Sequence, residues 1–157
     1  MTYTRGDIEA AFDHYRSAAA EAGRTGNWEV FLDCFTDDVH YVEHHYGEFH
    51  GKKAVREWIV PEMARWPINQ MQSYPWDWHV IDAENGVIVG QIANVMTDPG
   101  DGKEYRAVNW TRLIYAGDGL FSEEEDIYNP AEFGEMVMAW MKAWKDHHPG
   151  QDSPGSS

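Results

Sequence analysis

Between residues 73 and 128 apolar and polar residues alternate, and that run leaves the chain few ways to fold. Four segments, 73–82, 86–97, 105–115 and 120–128, have the period of two that marks half-buried strands. Asn85-Gly86, Pro99-Gly-Asp-Gly102 and Gly117-Asp-Gly119 separate them, and turns this short join antiparallel neighbours.

Helical spacing brackets this meander. Asp7 is placed to cap a helix reaching about Ala22, with Ile8, Ala11, Phe12, Tyr15, Ala19 and Ala22 on one face. Glycines 23 and 26 break it, and Asn27 opens a shorter helix with Trp28, Phe31, Leu32 and Phe35 as its stripe. A third helix, 52–66, carries Val55, Trp58, Ile59, Met63 and Trp66, and Pro61 is expected to kink or restart it. Asn129-Pro130 begins the last helix. Helices followed by a meander predict an α+β domain, a curved antiparallel sheet with helices on one face. The domain is expected over 1–147, with 148–157, polar and rich in Pro, Gly and Ser, as a disordered tail.

Charge excludes several partners. Lys and Arg number 12 against 27 Asp and Glu, a net charge of −15, which opposes nucleic-acid backbones and anionic membrane surfaces. No apolar run approaches the ~20 residues of a membrane span, and no leader-like segment opens the chain. The single cysteine, Cys34, has no disulfide partner in the chain, and no cationic neighbour would make it a thiolate. A cytoplasmic protein is expected.

Residues 36–51 hold four of the eight histidines. In a strand, Tyr41, Glu43 and His45 share one face, and His40, Val42 and His44 the other. His44 and His45 therefore diverge. His-x-His, His-Glu-x-x-His and a second cysteine are all missing, so no metal is expected. A set of His45, Glu43 and a distant residue such as Asp126 stays open. A cupin barrel would need His-x-His and more strands.

Three motifs, in this order, carry a resemblance: Gly26-Asn-Trp-Glu-Val-Phe-Leu-Asp-Cys-Phe-Thr-Asp-Asp38, Phe49-His-Gly-Lys52 and Glu125-Asp-Ile-Tyr-Asn-Pro130. Over about residues 7–145 the chain resembles the nuclear transport factor 2-like superfamily. That group includes ketosteroid isomerases, SnoaL-like polyketide cyclases, limonene epoxide hydrolases and scytalone dehydratase. The resemblance implies a cone-shaped sheet whose concave face is packed by the N-terminal helices, with a C-terminal helix beside it. Counted without gaps from Asp37-Asp38, the isomerase general base falls on Glu43. The first-helix tyrosine falls on Tyr15 if about one helical turn is inserted, and the later strand aspartate on Asn109. Asp126 matches an aspartate of the epoxide hydrolases, but their Arg-x-Asp falls on Ile92-Ala-Asn94, which removes the water-activating network. His45 and Asp13 are only loosely similar to the dehydratase residues in placement.

The resemblance thus implies acid/base chemistry on a small hydrophobic carbonyl compound, such as a steroid or polyketide. Glu43 moves the proton while Tyr15, Asn109 or Asp126 stabilises or relays it. Tyr41, His45, Trp28, Trp58, Asn94 and Glu124 are the expected ligand-binding residues, and no cofactor is implied. The alternative is a non-catalytic ligand-binding or dimerising module, with an epoxide hydrolase-like enzyme a weaker third. A homodimer is expected through the outer sheet face, where Trp110, Arg112 and Ile114 are too apolar for full solvation.

Overall fold

The structure, a computed structural model, describes residues 3–156. Helix α1 (Arg5–Thr25) buries Ile8, Ala11, Phe12, Tyr15, Ala18, Ala19 and Ala22. Its cap is Thr4 and not Asp7: the Thr4 hydroxyl accepts from Asp7 N–H while the Asp7 carboxylate accepts from Thr4 N–H, a reciprocal capping box. Helix α2 (Glu29–Leu32) is a single turn. Strands β1 (Phe35–Glu43) and β2 (Gly47–His50) form a hairpin, followed by α3 (Lys52–Ala64), which runs through Pro61 as one element. Then come β3 (Met71–Ser73), β4 (Trp76–Asp82), β5 (Val87–Met96), β6 (Arg106–Gly117), β7 (Leu120–Ile127) and α4 (Pro130–His147).

The seven strands form one sheet in the order β2-β1-β7-β6-β5-β3, with β4 also paired to β5. Two features depart from the sequence reading. The segment 73–82 is two strands, because Pro75 has no N–H to continue a ladder and offers only its carbonyl to Ala93 N–H. The sheet is also mixed and not purely antiparallel: β1 lies parallel to β7. Hairpin turns report only on neighbours in sequence, and this pairing joins strands separated by most of the chain.

The main core lies between the helices and one sheet face, where Phe12, Phe31, Phe35, Val39, Leu113 and Phe121 are buried. A second cluster, with Met71, Met96, Met136, Trp140 and Trp144, secures α4. The outer sheet face leaves Trp78, Val80, Trp110 and Ile127 exposed. No helix among the described residues is long and apolar enough to cross a membrane.

Candidate active site

The parallel register that sequence reading missed assembles the site. It sets Tyr41 beside Glu124 and Glu43 beside Asp126, while the β6–β7 ladder sets Thr111 beside Asp126. Cross-strand neighbours share a face, so three carboxyl groups meet on the helix-covered side. They border a cavity of about 330 Å³ whose lining also includes Tyr15, Asn94, Asn109, Trp28, Trp58 and His45. Every site residue singled out in the sequence thus borders one space. From α4, which had not been assigned to the site, Phe133, Gly134 and Val137 complete the wall.

Each carboxyl group has its own surroundings. Glu43 is 5% exposed; its Oε1 accepts the His45 backbone N–H at 2.8 Å and its Oε2 the Tyr128 hydroxyl at 2.9 Å. Glu124 is deeper, with Oε1 accepting from Tyr15 at 2.8 Å and from Tyr41 at 2.9 Å. Burial, then the neighbouring Asp126 charge, raises Glu124 well above the usual carboxylate range, so it is held as the neutral acid. Asp126 Oδ1 accepts from Thr111 at 2.5 Å and Asn109 at 3.2 Å, and Oδ2 lies 2.7 Å from the Tyr41 hydroxyl. Burial pushes Asp126 up to about 6, against the opposing pull of its Thr111 and Tyr41 hydrogen bonds.

Asn109 is committed elsewhere. Its amide nitrogen serves Thr111 and Asp126, and its oxygen accepts from Asn94 at 2.6 Å, so it positions Asp126. The Tyr15 hydroxyl is likewise held on Glu124. His45 sits exposed at the lip. Sequence reasoning missed Thr111 and Tyr128, which orient the two carboxylates nearest the opening. Thr111 was legible, since it shares the parity of Asn109; Tyr128 lies past the strand end, where parity gives no guide. Two buried polar atoms of lining residues, Trp58 Nε1 and Glu124 Oε2, have no partner among the described residues. Cys34 is buried and its thiol is pushed up to about 12, chiefly by burial, which suits packing and not nucleophilic attack.

A family model described as a SnoaL-like domain matches residues 4–124. Among solved structures, TerC crystallised with polyporic acid is 16% identical with a TM-score of 0.59, covering 84% of this chain and 98% of that one. An NTF2-like protein from Anabaena variabilis ATCC 29413 is 16% identical with a TM-score of 0.62, covering 82% and 94%. A protein of ketosteroid isomerase-like fold from Catenulispora acidiphila DSM 44928, in complex with trimethylamine, is 15% identical with a TM-score of 0.62, covering 79% and 92%. At these identities the likeness shows the fold. No curated protein matches the chain.

Proposed function

The chain belongs to the SnoaL-like domain family, and from that premise we propose an enzyme that moves a proton on a small, uncharged, hydrophobic carbonyl compound such as a steroid or polyketide. The observation that carries this reading is the pair Glu43 and Asp126, side by side on adjacent strands at one cavity, with Asp126 raised to about 6. Asp126, raised to about 6, carries a proton in part of the molecules near neutrality and stands beside the Glu43 side chain, which places a proton donor and an acceptor at one cavity. Glu43, as carboxylate, takes the proton from the carbon next to the carbonyl. Asp126, in its protonated form, donates to the oxygen on which negative charge develops. Asn109, Thr111 and Tyr128 position these two groups. The step needs no redox partner.

The lining supports an uncharged substrate. Rings dominate it, and its carboxyl groups are matched by neither Lys nor Arg, so an anionic group would find no Lys or Arg partner there. The unpartnered Trp58 N–H and Glu124 oxygen would find partners in a polar substituent of the ligand. TerC and the Catenulispora protein were each crystallised with a small molecule, which agrees with a small-molecule site on this fold. We further propose that the protein works as a homodimer through the outer sheet face.

The test is Glu43→Gln, assayed on a ketone first found by thermal shift. Loss of a general base is expected to lower kcat by about 10²–10⁴-fold with little change in ligand affinity. Activity retained within a few-fold would remove Glu43 as the base.

A further inference from the structure

Sequence spacing speaks against a metal in the histidine-rich stretch, because it compares histidines close in the chain. The hairpin brings together different ones. In the antiparallel β1–β2 register His40 stands opposite His50, and Val42 opposite Glu48. His40, Glu48 and His50 therefore lie on one face, turned away from the one holding Tyr41 and Glu43.

Their ligand atoms converge. His40 Nε2 is 2.9 Å from Glu48 Oε2, His50 Nε2 is 3.7 Å from the same oxygen, and all three lie within 4.8 Å of one another. Donors on a tetrahedral ion with bonds of about 2.1 Å stand about 3.4 Å apart, a value these two distances bracket. We propose that His40, Glu48 and His50 form a binding site for a divalent late first-row transition-metal ion, with Zn²⁺ as its probe. Two imidazoles and one carboxylate suit such an ion and not Mg²⁺ or Ca²⁺, which require a shell of oxygens.

The imidazole rings are stacked at 4.5 Å with 9° between their planes. They must splay for both lone pairs to reach one ion, and side-chain exposures of 36% and 74% leave room for that turn. The proton on His40 Nε2 moves to Nδ1 or to solvent as the ion binds. The net charge of −15 adds to the attraction for a cation, while Glu123, the register neighbour of His40 on β7, is already paired with Arg112. Three protein ligands leave at least one position for water. The ion would clasp β2 to β1 across the turn at the sheet edge.

Calorimetric titration of the chelator-treated full chain with Zn²⁺ tests this. One equivalent is expected to bind, and neither Mg²⁺ nor Ca²⁺ to compete. His50→Ala and Glu48→Gln are each expected to weaken binding at least about tenfold, since changing even an outer-shell partner costs that much. His148→Ala, at the far end of the chain, should leave affinity unchanged. Bound Zn²⁺ should also slow amide exchange across the β1–β2 ladder, a readout independent of activity. Absence of binding, or wild-type affinity in the His40→Ala/His50→Ala double variant, overturns the proposal. Far-UV circular dichroism checks that the exposed substitutions leave the fold intact.

Discussion

Glu124 has the least exposed carboxyl group at the cavity, and it costs the fold something at neutral pH. Its native pKa is raised above the ordinary 4.5, so as pH climbs past that value the unfolded chain ionises freely while the folded chain must keep its proton. Stability associated with this residue is full below about 4.5 and declines as pH rises toward the raised native value. Glu124→Gln keeps the shape and the acceptor for Tyr15 and Tyr41 but cannot ionise. The variant is expected to melt higher than wild type at pH 7–8, with the gain shrinking toward zero at about pH 4. A constant difference in Tm across that range would mean that Glu124 is not held neutral. Asp126, raised from 3.8 to about 6, sheds its own contribution as pH rises through that window.

At the scale of elements, α1 approaches the sheet through a glycine. A Cβ on Gly23 would stand 2.4 Å from the Gln72 backbone oxygen and 2.9 Å from the Tyr74 ring, so the helix can lie this close to β3 only without a side chain there. Gly23→Ala gains helix propensity but overpacks the contact, and a net loss of about 1–3 kcal/mol is expected by chemical denaturation. A more stable Gly23→Ala protein would show that helix and strand are free to part. Much of this level was legible. Period two marked the strands β5, β6 and β7, and the family resemblance named Glu43, Asn109 and Asp126 as site residues before any contact was known. Two kinds of information were not local and so were not legible. The parallel β1–β7 pairing joins distant segments, and it is what sets Glu43 next to Asp126. The meeting of His40 with His50 depends on where the hairpin turns, although the Glu48-Phe-His50 alternation was a visible hint that two ligand types share a face. Asn109 was read as an oxyanion donor from its position in the strand; only its contacts reveal that both sides of the amide are already engaged.

For the whole molecule, the outer sheet face sets the expected assembly. Trp78 and Trp110 meet edge to face at 5.4 Å, with Trp110 itself 55% exposed and Val80 and Ile127 beside them. A second copy covering this patch would bury about 1,200–2,000 Å² in a specific dimer. Sedimentation is expected to show a dimer that Trp110→Lys dissociates, and a monomer at all concentrations would count against it. The cavity proposed to transfer a proton lies within a single chain. The direct measurement is incubation of a bound neutral ketone in D₂O, following deuterium entering the carbon next to the carbonyl. Wild-type protein is expected to exchange that position, and Glu43→Gln to slow the exchange by about 10²–10⁴-fold while still binding the ketone. A ketone that binds the wild-type cavity and gains no deuterium beyond the uncatalysed rate would contradict proton transfer and leave a binding module.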